Sequence, residues 1–185
     1  MKTKIIIVLL TITVISCATY TKHSELDAWT ELGDVNWSSK NGVTESIIDS
    51  GEGFLVSTKK YSNFLLEIDF YPTAEVNSGI FIACQNPQKL SFTDCHEINI
   101  WDNHPKQEYR TGAIVAKVFP PLVQIHTLDK WNTYSIRIDK GNVTVHLNGI
   151  HTAQLNNEEL GAGYLAVQKA EGGQIKFRNL RITLL

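Results

Sequence analysis

Phe64-Leu65-Leu66-Glu67-Ile68-Asp69-Phe70-Tyr71, FLLEIDFY, sets apolar Phe64, Leu66, Ile68 and Phe70 at every second position, with Glu67, Asp69 and Tyr71 between them. An amphipathic helix would repeat its apolar residues every three or four positions, so a period of two predicts a strand with one buried and one wet face. The pattern recurs. Ile80 and Ile82 alternate with Gly79 and Phe81, and Val143, Val145 and Leu147 alternate with Thr144, His146 and Asn148. Turn residues fall between such runs: Asn41–Gly42, Lys140-Gly141-Asn142 and Asn148–Gly149, as tight hairpins require. Only NNEELGAG, residues 156–163, suggests a short helical turn. Some ten to twelve short strands without long helices imply an all-β fold: two packed antiparallel sheets in a sandwich or jelly roll.

The 185-residue chain is 43% hydrophobic and 19% charged, with a formal net charge of −2. It carries no run of Lys or Arg, which argues against a nucleic-acid partner, since phosphate binding needs a concentrated cationic face. Lys2 and Lys4 precede an apolar run from Ile5 to Ile15, too short to span a bilayer and of signal-peptide length. It ends in VISC, which resembles a bacterial lipobox with Cys17 as the lipidated residue; an ordinary signal peptide with an incidental Cys17 is the alternative. The expected organisation is a signal peptide over 1–16, a lipidated Cys17 and tether over 17–25, and one β domain over 26–185. A lipid-anchored envelope protein is the consequence, with Ala18 after the cysteine resembling a signal for the outer membrane. In such an oxidising compartment Cys84 and Cys95 can pair and close a loop of about a dozen residues. Two free neighbouring thiols are the alternative.

CHEINIWD, Cys95 to Asp102, carries candidate chemistry. If Ile98 and Ile100 point inward with His96, then Glu97, Asn99 and Trp101 share the opposite face. A carboxylate, an amide and a flat aromatic suit a carbohydrate, whose C–H faces stack on rings and whose hydroxyls bind planar polar groups. A solvated strand carboxylate is the plainer alternative. In VNSGIFIACQ the same parity puts Asn77, Gly79 and Phe81 opposite Ile80 and Ile82. A glycine inside a strand marks either a close approach by a ligand or neighbouring chain, or a bulge.

Sandwich-fold glucanases use Glu-x-Asp-x-x-Glu, with two carboxylates flanking the scissile bond. HEINIWD offers Glu97, Asn99 and Asp102 at those positions, and LLEIDFYP offers Glu67, Asp69 and Pro72, so neither run makes the pair. GxSxG, CxxC and HExxH are absent, and the six histidines lack metal-ligand spacing. GEGF, residues 51–54, lacks the Lys and Ser/Thr of a phosphate loop.

Taken in order, LDAW, GDVNWSSKNGVTES, FLLEIDF, NSGIFI, HEINIWDN, TGAIVA, KWNTYSIRI, VHLNG, GYLAVQ and GGQIKFRNLRI resemble the 3-keto-disaccharide hydrolase family over roughly residues 26–185. The resemblance implies a concanavalin A-like jelly roll and action on glycosidic bonds of sugars oxidised at C3. A C3 carbonyl acidifies the C2 proton, so one base can remove it, the C1 aglycone leaves, and water adds back to complete hydrolysis. It further implies Glu97 as base or orienting ligand and Arg178 as a partner for oxyanion charge, unless Arg178 merely pairs with a strand acid. Asn77, Gly79 and Gln168 match family positions that would bind substrate, and Asn99 stands where the family often has Gln; by strand parity Phe81 and Trp101 join Asn99 as a sugar platform. No cofactor is certain, although the enediolate leaves room for a divalent metal. KAEGG, residues 169–173, stands where many members have Asp-His-Gly, and SELDAW shortens the family's opening. A noncatalytic carbohydrate-binding lipoprotein is the alternative reading.

Overall fold

FLLEIDFYP forms a nine-residue strand whose positions alternate strictly between buried and half-buried. A computed structural model describes residues 26–47, 51–73, 76–120, 125–156 and 158–185; the expected leader, Cys17 and its tether lie outside them. The strands are β1 (Thr30–Gly33), β2 (Trp37–Lys40), β3 (Val43–Ser46), β4 (Gly53–Val56), β5 (Phe64–Pro72), β6 (Ser78–Cys84), β7 (His96–Ile100), β8 (Asn132–Asp139), β9 (Asn142–Leu147), β10 (Ile150–Leu155), β11 (Tyr164–Lys169) and β12 (Ile175–Leu184). They build a five-stranded sheet, β1-β4-β11-β6-β7, and a seven-stranded sheet, β10-β9-β8-β5-β12-β3-β2. All strand pairings are antiparallel. This is the expected two-sheet jelly roll.

The inner faces meet in one core. Ile80, Ile82, Ile98, Ile100, Leu165 and Val167 from the smaller sheet face Phe64, Leu66, Ile68, Phe70, Ile136, Val145 and Phe177 from the larger. Each such buried side chain is worth roughly 1.5–3 kcal/mol relative to exposure. Phe70 stacks on Tyr134, ring centroids 4.8 Å apart. The Tyr134 hydroxyl crosses the core to donate to the Asn99 carbonyl at 2.6 Å, so β7 is tied to the opposite sheet by a satisfied polar contact.

Three tight hairpins use the turns the sequence offers. Asn41–Gly42 joins β2 to β3, Lys140–Gly141 joins β8 to β9, and Asn148–Gly149 joins β9 to β10, every one of these residues having positive φ. NNEELGAG forms no helix among its described residues. There the Glu158 N–H donates to the Gly141 carbonyl and the Leu160 N–H to the Glu158 carbonyl, so docking on the β8–β9 turn replaces a helical turn. The 3-10 turns lie at Leu26–Ala28 and Gln107–Tyr109 instead.

The outer edge of β7 is covered. Val115 N–H donates to the Glu97 carbonyl and Gly112 N–H to the Asn99 carbonyl, while Asn99 N–H donates to the Ala113 carbonyl. This occupies backbone groups that would otherwise invite edge-to-edge pairing. Asp102 straps the same segment down by accepting from Thr111 Oγ1 (2.5 Å), Thr127 N–H (2.6 Å) and Thr127 Oγ1 (2.8 Å). The carboxylate at the glucanase motif's last position is therefore consumed in structure.

Cys84 and Cys95 are bonded, eleven residues apart, joining the end of β6 to the residue before β7. The Cys84→Ser/Cys95→Ser double variant is expected to fold and to lose about 3 kcal/mol of stability, measured by urea denaturation against the oxidised wild type.

Candidate active site

Burial of Ile98 and Ile100 in the core turns Glu97 and Asn99 to the outer face of the five-stranded sheet. Cross-strand register then sets their neighbours. Glu97 lies opposite Phe81, which lies opposite Ala166, which lies opposite Val56. Asn99 lies opposite Gly79, which lies opposite Gln168, which lies opposite Phe54. Four distant segments thus place a carboxylate and two amides on one surface.

Gly79 sits in regular register, and the bulge between β6 and β11 falls at Tyr164–Ala166 instead. A Cβ at Gly79 would come 2.9 Å from Glu97 Oε1, 3.1 Å from Glu97 Cγ and 3.3 Å from the Phe81 ring. The glycine is the space over which the Glu97 side chain lies.

Glu97 is only 9% exposed. Burial, and after it the negative charge of Glu52, pushes its carboxyl up to about 7. Glu52 immediately precedes β4 and is the residue that sequence reasoning passed over. Its Oε1 accepts a 2.7 Å hydrogen bond from Gln168 Nε2. Asn99 Nδ2 donates to the Tyr109 carbonyl. Both amides are thereby oriented, and both leave a carbonyl oxygen buried without a protein partner, Asn99 Oδ1 and Gln168 Oε1. Orphaned buried acceptors are uncommon and point to an absent donor.

Phe81 is 1% exposed and packs edge-on against Phe54 at 5.4 Å, in a second apolar cluster with Val56, Ala166 and the disulfide. It is a floor under the site and not the expected sugar platform, because its ring is already covered. Trp101, directly after β7, is half-buried and starts a chain of rings through His104 (4.5 Å), Tyr109 (5.6 Å) and Phe119 (5.8 Å). Asn77 continues the outer face of β6, its N–H donating to the Glu171 carbonyl.

Arg178 is elsewhere. It lies on β12 of the seven-stranded sheet beside inward-pointing Phe177, so its side chain is on the opposite outer surface of the sandwich. There it pairs with Asp69 (3.2 Å) and stacks over Trp131 (3.9 Å to the ring centre). The oxyanion role is withdrawn and the strand-acid alternative stands. His96, on the inward parity, contacts Glu158 at 3.4 Å. Among the described residues no group of three or more His, Cys, Asp or Glu is gathered for a metal.

A concanavalin A-like jelly roll with a buried carboxyl group on the outer face of its smaller sheet is the class that fold and site define. Residues 22–183 match the 3-keto-alpha-glucoside-1,2-lyase-like domain, and the chain belongs to that family. A proposed glycosyl hydrolase from Parabacteroides distasonis ATCC 8503 is 20% identical, with a TM-score of 0.71 over 84% of this chain and 88% of that one. The carbohydrate-binding module CBM66 from Bacillus subtilis is 13% identical, with a TM-score of 0.59 over 82% and 92%. A Bacillus subtilis protein of unknown function with a galectin-like fold is 10% identical, with a TM-score of 0.58 over 89% and 98%. At these identities the likeness is one of fold. Comparison with curated proteins finds no match.

Two outcomes follow from the packing around Glu97. Gly79→Ala should fold but displace the Glu97 carboxylate by a few tenths of an ångström or more, which a crystal structure of the variant would show. The raised carboxyl also means that the folded state holds the Glu97 proton more tightly than the unfolded chain. That contribution to stability is present at low pH and is lost as pH rises through about 7. Glu97→Gln should therefore match wild type near pH 4 and become more stable than it above pH 7, by up to about 3 kcal/mol, in denaturant titrations across pH.

Proposed function

We propose that the protein cleaves glycosidic bonds of 3-keto-glucosides, with Glu97 as the base that removes the C2 proton. The observation that carries the reading is the Glu97 carboxyl, 9% exposed and poised at about 7 over the gap left by Gly79. A general base works best with a pKa near the operating pH, and burial is how a glutamate reaches it. Membership of the lyase-like family supports the same chemistry.

The C3 carbonyl withdraws electrons from C2–H. Glu97 takes the proton, the C2 electron pair forms the C1–C2 double bond of the intermediate, and the C1–O bond breaks with its electrons leaving on the aglycone oxygen. Water then adds across C1–C2, its hydroxyl to C1 and a proton to C2, to give the free 3-keto sugar. One base suffices for the first step, so the absence of a glucanase Glu-x-Asp-x-x-Glu motif is consistent with elimination and inconsistent with double displacement between paired carboxylates. Trp101, directly after β7, and the rings it contacts are the aromatic faces proposed to stack on a sugar or its aglycone. The proposal keeps Cys17 as a lipid anchor in the bacterial envelope, on the strength of residues 1–17 alone.

The test is aglycone release from a panel of 4-nitrophenyl 3-keto-glucosides. Wild type should turn over at least one of them and none of the unoxidised parents, with kcat/KM rising with pH through about 7 and then levelling as Glu97 ionises. Glu97→Gln should lose turnover by about a thousandfold or more while remaining folded. Unchanged turnover in that variant removes Glu97 from the mechanism. Glycan binding without any release by wild type would identify a noncatalytic binding protein instead.

A further inference from the structure

Glu52 is exposed and belongs to none of the candidate motifs, yet it acts on the site twice. Its backbone is held firmly: Asp34 N–H donates to the Glu52 carbonyl at 3.0 Å, and Gly33, at φ +90°, lets that carbonyl approach to a point where a Cβ would be only 2.4 Å away. Glu52 shares the outward parity of Phe54 and Val56, which turns its side chain to the same surface as Gln168. There Glu52 Oε1 receives the Gln168 Nε2 hydrogen bond at 2.7 Å.

That bond settles the polarity of the Gln168 amide. With the NH2 group on Glu52, the carbonyl oxygen is turned away from it and left without a partner, in a residue only 6% exposed. Asn99 is 2% exposed and is oriented in the same sense by the Tyr109 carbonyl, which leaves its own Oδ1 unpartnered. The two residues flank Gly79 on neighbouring strands, roughly 10 Å apart between backbones, with the Glu97 carboxylate in the intervening gap. Both oxygens are covered by protein, so a ligand that reaches them must displace that cover; a sugar offers the donors they lack as hydroxyls. A keto oxygen, having no proton, cannot fill either position.

We propose that Glu52 is the positioning residue of the site, holding the Gln168 amide so that its carbonyl oxygen and that of Asn99 form a two-acceptor clamp for a pair of sugar hydroxyls across Gly79. This rests on the reading of the site as a sugar site. The clamp orients the substrate through its hydroxyls and leaves the oxidised carbon to face elsewhere. Glu52 also acts through space on Glu97. Around Glu97 stand the Gly79 backbone and the Phe81 ring from β6, and the charge that acts on it is that of Glu52 at the start of β4. Lys117, on the segment along the β7 edge, is engaged with Glu158 at 3.7 Å beside His96. Removing the Glu52 charge should lower the Glu97 titration, but only part of the way, because burial is the larger cause.

Glu52→Ala and Glu52→Gln separate the two effects. The alanine variant frees the Gln168 amide, and its KM for a 4-nitrophenyl 3-keto-glucoside should rise roughly tenfold, the size of one neutral hydrogen bond lost. In the glutamine variant the side-chain carbonyl still accepts from Gln168 Nε2, so KM should stay near that of wild type. Both variants should show the acid limb of kcat/KM displaced to lower pH. Deoxy analogues lacking one hydroxyl each should include one that wild type handles about tenfold worse and that the alanine variant no longer distinguishes. Equal KM in all three proteins, or no deoxy analogue with such a pattern, would overturn the clamp. Ca2+ or Mg2+ binding in wild type that the alanine variant loses would assign the carbonyls to a cation and also overturn it. If wild type releases no aglycone from any 3-keto-glucoside, the enzymatic reading fails on its own. The Glu97 titration, followed by carboxyl 13C NMR, and sugar affinity by calorimetry then still decide the Glu52 role. An unchanged titration in both variants together with unchanged affinity would end it.

Discussion

Strand β7 has two faces with opposite duties, and the rest of the molecule is arranged around that constraint. Ile98 and Ile100 are wholly buried between the sheets, and a strand that commits alternate side chains to a core must send the others away from it. Glu97 and Asn99 are those others. A slip of one residue would place a carboxylate in the apolar interior, where an unpaired charge is very costly, and would expose two isoleucines. The chemistry of the site is therefore held in register by the hydrophobic effect acting on its neighbours.

Around that strand the structure supplies what alternation alone cannot. Tyr134 reaches across the core to the Asn99 carbonyl, and residues 112–115 cover the outer edge of β7. Asp102, buried and saturated with hydrogen bonds, holds the following segment in place. On the site face, Phe81, Phe54 and the disulfide form an apolar bed that leaves little water around Glu97. The same desolvation that raises the Glu97 carboxyl works against the fold once that residue is ionised, a common tension where a buried titratable side chain is also the one proposed for function.

Much of this was legible in the sequence because it is local. The period of two in FLLEIDFY, the Asn-Gly and Lys-Gly turns, and the parity of CHEINIWD each depend on residues within a few positions of one another, and the structure places them as that parity requires. Errors arose where a long-range contact overrode a local pattern. NNEELGAG has helix-like composition but docks on the β8–β9 turn. Phe81 has the parity of a binding platform but is capped by Phe54. Arg178 stands in a matching motif, yet the strand carrying it belongs to the opposite sheet, where Asp69 and Trp131 engage it. Glu52 went unseen because nothing in GEGF relates it to Gln168, which is 116 positions away in the chain.

The sequence by itself determined the class of fold, the inward and outward faces of its strands and the family to which the chain belongs, because side-chain alternation and turn chemistry are written in neighbouring residues. Only the tertiary structure decided which outward faces meet. Strand order is set by packing two sheets over one core, and that order brings Glu97, Gly79, Gln168 and Glu52 from four separate stretches onto one surface while sending Arg178 to the other. A basic carboxyl near neutrality is likewise no property of a glutamate in a sequence; it comes from the apolar bed and the neighbouring charge that folding places around it.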